Sequence, residues 1–267
     1  MYPIPTHRRT NGPPHELNLT DKPMTITSQH NPALKQLRRL ARKPERERSG
    51  RFAAEGEDLV AAAAAAGWGA LEGYRLAGSG LGGEDFVDVD AQALAVVSVL
   101  GSGTRVVGVY EQRWAQAPAG PLCVYLHGVG DPGNVGTILR SARAFGASGV
   151  ALGPGCADPY GPKAVRASMG AIFAVDLTRV ESVAELPGER VALVAHEGEV
   201  LRGEPTFSAG DVTLLVGAER EGLPDEIVAA CERTAQIPIA ADSLNAAMAA
   251  TVALYELTRQ ANRLAAK

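Results

Sequence analysis

Polar side chains follow three predicted buried strands in the second half of the sequence, and their types suit a substrate that carries phosphate or hydroxyl groups. Asn134 and Arg140 belong to a predicted helix after the first of these strands, and Glu219 is the first carboxylate after the second. Ser243 and Asn245 follow the third. An arginine above the ligand-binding edge of a sheet can hold a phosphate or polarise a hydroxyl group. Taken singly, these segments are equally typical of a capped helix, an ordinary turn and an alanine-rich terminal helix.

Local signals in the same three segments predict how each one is built. A proline–glycine turn precedes Asn134, which can therefore cap the helix. Gly217 would let a ligand approach the backbone closely, because glycine has no side chain. Asp242 or Ser243 is expected to cap the last helix, whose first three turns consist almost entirely of small residues. Such a surface favours close packing against another backbone or a partner.

The elements that must position these residues alternate between strand and helix from residue 121 onward. Predicted strands cover 122–129, 149–152, 172–177, 191–195, 212–217 and 236–239, and predicted helices cover 134–145, 162–169, 224–231 and 243–265. Alternation of this kind indicates a mostly parallel sheet with helices on both faces. The carboxyl ends of such strands share one edge, where ligands bind.

The first half predicts a smaller α/β domain preceded by a tail. Residues 1–23 contain scattered prolines without apolar periodicity, which predicts disorder and gives no signal peptide. Residues 24–112 form the predicted domain, with strands at 51–55, 73–76 and 104–110, helices at 31–42 and 91–100, and an alanine-rich helix that follows the first strand and ends near residue 67. Residues 113–121 are the predicted linker to the second domain, 122–267. Met24 is a possible natural start.

The charge of the chain is unevenly distributed. The formal net charge is −4, which by itself argues against a protein coated in nucleic acid. Residues 28–52, however, contain eight basic residues and only two acidic ones, a local charge of +6. Such a run is often a solvated face, but its excess of arginine and lysine favours phosphate contacts. The basic side chains predicted to hold RNA are Lys35, Arg38, Arg39, Arg42, Arg46 and Arg48.

Other classes of protein are disfavoured by composition and spacing. No run of about 18 apolar residues is present, so a membrane span is not expected. Three widely spaced cysteines argue for a reducing cytoplasm and against a disulfide scaffold or a zinc site. A G-x-G-x-x-G pattern at 78–83 is followed by acidic residues instead of a helix, so it predicts a surface loop and not a dinucleotide site.

Together, the three segments resemble the signature motifs of the SpoU (TrmH-like) RNA ribose methyltransferases, a family of the knotted SPOUT class. The motifs read N-V-G-T-I-L-R-S-A at 134–142, G-A-E-R-E-G-L at 217–223, and I-P-I followed by S-L-N-A-A within 237–247. Residues 160–171 resemble the family's linker motif, and the first half is similar in arrangement to an L30e-like substrate-binding domain. The resemblance implies an α/β fold whose C-terminal, mostly parallel sheet contains a trefoil knot.

The resemblance also implies a reaction, the transfer of a methyl group from S-adenosylmethionine to a ribose 2′-hydroxyl of structured RNA without a metal. Ribosomal RNA is the expected substrate and transfer RNA the second choice. A knotted base methyltransferase and a non-catalytic RNA-binding protein of the same fold remain as alternatives. Family members form dimers through the knot region, so a cytoplasmic homodimer is expected.

The same resemblance assigns roles to residues. The resemblance places Arg140 nearest the hydroxyl, as a base or as part of one. A free guanidinium is essentially always protonated, so the preferred role is a clamp that stabilises the developing alkoxide, with the role of a base left open. The expected surrounding network consists of Asn134, Glu219, Ser243 and Asn245. The expected cofactor pocket consists of Gly217, Ala218, Ile237 and Leu244, with Ala195 and His196 at its edge. Arg166 is expected to hold RNA with the basic N-terminal segment. The loop 240–242 is shorter than is usual in the family, which puts the pocket wall and the contact of Leu244 in question.

Overall fold

The structure is a computed structural model that describes residues 25–98, 101, 103–201, 211–240 and 243–265, with side chains to residue 259. The predicted tail at 1–23 and the candidate cap Asp242 lie outside these residues. No helix in the described ranges has both the length and the apolar character needed to cross a bilayer.

The first half contains a four-stranded sheet flanked by short helices. Its elements in chain order are α1 (Pro32–Arg39), α2 (Lys43–Ser49), β1 (Arg51–Glu55), α3 (Glu57–Ala65), β2 (Glu72–Leu76), β3 (Val87–Val89), α4 (Ala91–Ala95) and β4 (Val106–Glu111). The strand order is β1-β4-β2-β3, and β4 runs antiparallel to both of its neighbours. The structure thus has a small α/β unit in the predicted place.

The predicted helix at 31–42 is in fact two helices. Asn31 caps α1 through a 2.8 Å hydrogen bond from the Ala33 amide, as its sequence position before Pro32 indicates. Arg42 is extended and separates the two helices, and Pro44 lies in the first turn of α2, where no amide hydrogen is needed. The apolar stripe of α1 is buried as its three-residue spacing predicts, so the arginines of α1 face outward.

The second half contains a seven-stranded sheet in which every recorded pairing is parallel. Its elements are β5 (Leu122–Leu126), α5 (Pro132–Ala144), β6 (Gly149–Leu152), α6 (Pro162–Ser168), β7 (Asp176–Arg179), β8 (Glu189–Leu193), β9 (Glu199–Val200), β10 (Val212–Val216), α7 (Asp225–Ala229), β11 (Arg233–Gln236) and α8 (Ala246–Ala265). The order is β7-β6-β5-β10-β8-β11-β9. The predicted parallel α/β sheet is confirmed, whereas the trefoil knot stays a prediction.

Several predicted boundaries are wrong for identifiable reasons. Residues 171–173 form a 3-10 turn and only 176–179 form a strand, because a short apolar run does not distinguish strand from turn. The last strand is 233–236 instead of 236–239, since its alternating, half-buried residues carry a weak signal. The helix predicted at 91–100 is α4, which ends at Ala95. The helix predicted at 243–265 is α8, which begins at Ala246. The two-residue β9 and the three-residue β3 were not predicted.

One hydrophobic core is shared by the two halves. Phe52 and Tyr110 of the small sheet belong to the same buried cluster as Tyr160 and Phe173 of the second half. The ring of Phe52 lies 4.7 Å from that of Tyr160, and the ring of Tyr110 lies 5.1 Å from that of Phe173. Trp68 adds a 2.9 Å hydrogen bond from its indole Nε1 to the Phe173 carbonyl. The two halves are therefore joined by packed aromatic side chains as well as by the chain itself.

Candidate active site at the carboxyl edge of the parallel sheet

Two of the predicted motifs meet because their strands are neighbours. Strands β5 and β10 pair in parallel, with Leu126 opposite Val216 at their carboxyl ends. Helix α5 follows β5, and the loop that carries Glu219 follows β10. The third motif joins them through α8, which packs on α5, where the Ser141 and Thr251 hydroxyls lie 2.6 Å apart. Three segments far apart in sequence thus share one corner of the sheet.

A relay of side-chain hydrogen bonds connects the three motifs. Asn245 donates from Nδ2 to Oδ1 of Asn134 over 3.0 Å, and Asn134 donates from Nδ2 to the Glu219 carboxylate. Asn245 also accepts hydrogen bonds from the Ala247 and Met248 amides, at 3.0 and 3.2 Å. Asn245 therefore caps α8, so neither of the predicted caps, Asp242 and Ser243, is needed for that role.

The chemistry of this relay determines the orientation of both amides. An ionised carboxylate can only accept hydrogen bonds, so the NH₂ group of Asn134 must face Glu219. Its oxygen then faces Asn245, whose own oxygen must face the helix amides. No second orientation satisfies all of these groups. Among the described residues, the remaining oxygen of Glu219 has no recorded partner, which leaves it available to a bound molecule.

Asn134 is free to join this relay because another residue caps its helix. The prediction that Asn134 caps α5 is wrong: Asp131 is the cap, and its Oδ1 accepts a 3.0 Å hydrogen bond from the Asn134 amide. Lys163 donates to Oδ2 of Asp131 over 2.8 Å. This contact and the helix amides hold the pKa of Asp131 below its usual value. Pro132 occupies the first helical turn, where no amide hydrogen is needed.

The loop after β10 is closed on itself, which gives Gly217 a structural role in addition to the predicted one. The main chains of Ala218 and Gly222 exchange two hydrogen bonds of 3.2 and 3.0 Å, with Glu219 inside the loop they close. A Cβ atom on Gly217 would lie 2.2 Å from the Gly222 carbonyl carbon and 2.4 Å from the Leu223 nitrogen. The absence of a side chain is thus required by the loop itself. A place for Gly217 beside the cofactor stays a prediction.

Arg140 lies outside the relay. It is exposed on α5, six residues beyond Asn134, and its guanidinium makes no hydrogen bond or ion pair with any described residue. Helices α5 and α6 approach closely at Gly136, where a Cβ atom would lie 2.3 Å from the Ala164 carbonyl oxygen. The backbone that carries Arg140 is therefore held firmly, while its charged end remains available.

The residues predicted to hold the cofactor lie on three loops and a strand end. Gly217 is buried, Ala218, Ile237 and Leu244 are half-buried, and Ser243, Ala195 and His196 are exposed. The main-chain groups of Gly217, Ile237 and Leu244 make no hydrogen bond with another described residue. Unused amides and carbonyls beside half-buried apolar side chains fit the polar edge and the flat face of an adenine ring. The described residues contain no cluster of three metal-ligating side chains.

The predicted RNA-binding residues divide into exposed and buried groups. Lys35, Arg38, Arg39, Arg42 and Arg48 are exposed, although Arg48 also pairs with Glu45. Arg166 is exposed on α6 and donates a 3.4 Å hydrogen bond to the Glu55 carbonyl. Arg46 requires a correction: it is only 4% exposed and its guanidinium is occupied by Asp158 and the Leu40 carbonyl. A buried, paired guanidinium is not available to RNA phosphate.

Sequence reasoning missed the residues that join the two halves. Asp158, Tyr160, Trp68 and Arg113 all make contacts across this boundary. The Tyr160 hydroxyl accepts from the Arg113 amide over 3.0 Å and also donates to its carbonyl. Burial raises the pKa of Tyr160, so it remains a donor at neutral pH. These residues lie far from their partners along the chain, so no local sequence pattern marked them.

Comparisons with known proteins agree with this architecture. Residues 121–255 match the profile of the SpoU rRNA Methylase family, and residues 31–99 match that of the MRM3-like substrate binding domain. A 23S rRNA (uridine(2479)-2′-O)-methyltransferase of Streptomyces viridochromogenes is 41% identical over 147 residues. That match covers 48% of this chain and 49% of the relative, so this chain spans about half the length of that relative.

Solved structures match over more of the chain. An rRNA methyltransferase from Sinorhizobium meliloti is 32% identical with a TM-score of 0.78, and the match covers 89% of this chain and 98% of that one. The SpoU methyltransferase AviRb from Streptomyces viridochromogenes, solved with the cofactor AdoMet, is 28% identical with a TM-score of 0.76. It covers 87% of this chain and 98% of its own.

Proposed function

This chain belongs to the SpoU rRNA methylase family, and from that premise we propose that it methylates a ribose 2′-hydroxyl of ribosomal RNA, with S-adenosylmethionine as the methyl donor. The observation that carries the proposal is the relay from Asn245 through Asn134 to Glu219. It brings all three motifs to one corner of the sheet, beside the helix that presents an unpaired Arg140. The named relatives and the AdoMet-bound structure of AviRb support the same reaction.

In this reaction the protein supplies alignment and charge. The donor, when bound, offers a methyl group already activated by its sulfonium charge. The 2′-oxygen forms the new bond to the methyl carbon, the carbon–sulfur bond breaks with its electron pair remaining on sulfur, and the hydroxyl proton leaves to a base or to water. Arg140 holds the oxygen and stabilises the negative charge that develops on it, because its guanidinium remains protonated.

The corner network positions the groups that surround the reacting atoms. Glu219 presents one carboxylate oxygen while Asn134 holds the other. Ser243 lies exposed two residues before Asn245 and completes the proposed network. Gly217, Ala218, Ile237 and Leu244 would hold the adenine and methionine portions of the donor, with Ala195 and His196 at the rim. The order provided by Asn245 and Asn134 reduces the entropy that must be lost on reaching the transition state.

The basic face of α1 and α2 is proposed to bind the RNA backbone. Its exposed members, with Arg166, give a positively charged surface on the half that matches a substrate-binding domain. Phosphate contacts of this kind position a nucleic acid without reading its sequence. Ribosomal RNA is favoured over transfer RNA because the named 2′-O-methyltransferase relative acts on 23S rRNA. A ribosomal RNA substrate and the three free cysteines support our proposal that the protein acts in the cytoplasm.

We also propose a homodimer in which α8 lies at the interface. Met248, Val252 and Tyr255 are 60%, 39% and 50% exposed, and their spacing puts them on one stripe of α8. An apolar stripe beside the corner network suits a second copy of this chain. Light scattering of the wild type and of Val252→Glu tests this: the wild type should have twice the monomer mass and the variant should not. A wild type with the mass of a monomer would contradict the proposed homodimer.

The reaction is tested with ribosomal RNA, radiolabelled donor and the variant Arg140→Ala. We expect methylation to fall by on the order of 10²- to 10³-fold, which is the usual cost of removing a group that stabilises developing charge. Arg143→Ala is the matched control, because Arg143 is an exposed arginine one turn further along the same helix. The control should retain near wild-type activity.

The chemical identity of the product separates the proposal from its alternatives. A methylated ribose blocks alkaline cleavage of the next phosphodiester bond, whereas a methylated base does not. Alkali-sensitive product would show a base methyltransferase, and no product together with no binding of the donor would show a non-catalytic RNA-binding protein. Equal activities of Arg140→Ala and wild type would remove Arg140 from the mechanism.

A further inference from the structure

We propose that Arg46 and Asp158 are positioning residues that set the RNA-binding helices α1 and α2 in register with the catalytic corner. The inference rests on the proposed function, because it concerns how bound RNA reaches Arg140. Its structural content can be tested without RNA. Arg46 belongs to the substrate-binding half and Asp158 to the loop after β6, and they are 112 residues apart in sequence.

Arg46 links three parts of the molecule through one buried guanidinium. Its Nε and Nη2 donate to Oδ2 of Asp158 over 2.9 and 2.6 Å, and Nη1 donates to the Leu40 carbonyl over 2.8 Å. Leu40 is the residue at which α1 ends, and Arg46 itself lies in α2. The exposed basic residues of both helices are therefore connected to Asp158 through this single side chain.

The loop that carries Asp158 leads directly to the catalytic corner. The Ala157 amide, next to Asp158, donates to the Val129 carbonyl over 2.9 Å, and the Gly128 amide donates to the Pro154 carbonyl over 2.9 Å. The loop after β5 then continues into Asp131, the cap of α5, which positions Asn134. A path of hydrogen bonds and short stretches of main chain thus joins Arg46 to the helix that carries both Asn134 and Arg140.

The ion pair supplies direction that the neighbouring aromatic contacts lack. The rings of Phe52, Tyr160 and Phe173 hold the halves together by apolar contact, which is non-directional. The hydrogen bonds of Trp68 and Tyr160 in the same cluster reach neither α1 nor α2. A charge-assisted hydrogen bond constrains angle and distance, whereas a buried ion pair is by itself weak evidence for net stability. We therefore assign to Arg46 and Asp158 the alignment of the two halves and to the aromatic cluster their adhesion.

Loss of this alignment should affect methyl transfer more than it affects either binding step. RNA held on Lys35, Arg38, Arg39 and Arg42 would still bind, and the donor pocket on the far side of β5 would be unchanged. The 2′-hydroxyl would be delivered less accurately to Arg140. Misplacement by about 1 Å can cost on the order of 100-fold in rate, so we expect Asp158→Asn to slow single-turnover methylation of pre-bound RNA by roughly 10- to 100-fold.

The experiment compares Asp158→Asn and Arg46→Gln with the control Trp68→Phe. The control removes the hydrogen bond from Trp68 to Phe173, which lies in the same interface but touches neither α1, α2 nor the loop after β6. Thermal unfolding first establishes that each variant is folded at the assay temperature. Binding of donor, binding of RNA and the single-turnover rate are then measured separately, and methylated positions are mapped.

A distance measurement tests the structural content independently of activity. Spin labels on cysteines placed at Lys35 and Ala144, both exposed, report the separation of α1 and α5 in protein without its three native cysteines. We expect a narrow distribution in the wild type and in Trp68→Phe, and a broader one in Asp158→Asn and Arg46→Gln. Unchanged distributions would overturn the proposal even if the wild type did not methylate RNA.

The kinetic result gives a second way to overturn it. A folded Asp158→Asn protein that methylates pre-bound RNA at the wild-type rate, or a Trp68→Phe protein that slows equally, would show that the pair is only a structural contact. A wild type that does not methylate ribose removes the proposed function, while the spin-label distances still decide the alignment.

Discussion

Two regions of the molecule contain similar polar groups but use them differently: the contact of Arg46 with Asp158, here called the interdomain contact, and the corner of the sheet where Asn134 meets Glu219 and Asn245. Both depend on polar contacts between residues far apart in sequence: 112 residues for Arg46 and Asp158, and 85 for Asn134 and Glu219. At the interdomain contact, the guanidinium of Arg46 is 4% exposed and each of its nitrogens has an acceptor. At the corner, Glu219 keeps an oxygen without a recorded partner and Arg140 keeps its whole guanidinium, within the part of the chain that the structure describes.

This difference distinguishes structural from functional polar groups. A polar group that is fully satisfied inside the protein has nothing left to offer a substrate, whereas a group held on a firm backbone with unused capacity can bind one. Substitutions at the interdomain contact should therefore lower the free energy of unfolding and disturb the alignment of the two halves. Substitutions at the corner should instead lower the rate of methyl transfer. Four predictions test this division, in order of decreasing free-energy effect.

The largest effect is expected for Asp158→Ala. Removing one partner of a buried ion pair leaves an uncompensated charge, which costs about 3–5 kcal/mol. Urea unfolding should show this loss in the free energy of unfolding. Asp85→Ala is the matched control, because Asp85 is exposed on a loop, and its loss should be below about 0.5 kcal/mol. Equal losses of unfolding free energy in the two variants would mean that pairing with Asp158 is not required to keep Arg46 buried.

The next effect concerns Asn134→Ala, which interrupts the relay at its centre. Methyl transfer should fall by on the order of 10²- to 10³-fold, equivalent to about 2.7–4 kcal/mol, because Glu219 and Asn245 lose their shared contact. The free energy of unfolding should change by about 1 kcal/mol or less. Thr137→Ala, one turn along the same helix and exposed, should leave the rate near wild type. A strongly destabilised but active Asn134→Ala protein would contradict this division, because Asn134 would then be a structural residue.

A smaller effect is expected for Gly217→Ala. The new Cβ atom would collide with the main chain of Gly222 and open the loop that holds Glu219. Overpacking of this kind costs about 1–3 kcal/mol, and donor binding measured by calorimetry should weaken as well. Gly69→Ala is the control, because no atom lies within 4 Å of its Cβ position and its backbone is compatible with alanine. A fully stable Gly217→Ala protein would show that the loop tolerates displacement.

The smallest effect is a pH dependence at Asp131. Its pKa is lowered in the folded state by Lys163 and the helix amides, so its carboxylate stabilises the protein above its unfolded pKa, near 3.9. This contribution is lost as the pH falls through the lower folded-state pKa. Asp131→Asn retains a cap but loses the charge. The free energy of unfolding of the wild type should therefore exceed that of the variant by about 0.5 kcal/mol at pH 7. In acid unfolding, the difference should decrease as the pH falls and vanish once Asp131 is protonated in the folded state; a constant difference would contradict this assignment.

The predictable part of the fold was the part encoded by local pattern. The alternation of strands and helices in the second half predicted a parallel sheet, and Asn31 before Pro32 predicted the start of α1. The division of 31–49 into two helices and the 3-10 turn at 171–173 were missed, because their residues have similar propensities in either arrangement. Exposed and buried arginines look identical in such a segment.

The sequence by itself selected the candidate residues, since the resemblance of three motifs to those of the SpoU family singled out Asn134, Arg140, Glu219 and Asn245. Only the tertiary structure decided what each polar group does. It assigned the cap of α5 to Asp131, released Asn134 for the relay, and withdrew Arg46 from the surface to meet Asp158. The physical reason is that a hydrogen bond has a fixed range and a limited number of donors and acceptors. Which partners they reach depends on neighbours brought close by strand order and domain packing, and not on neighbours along the chain.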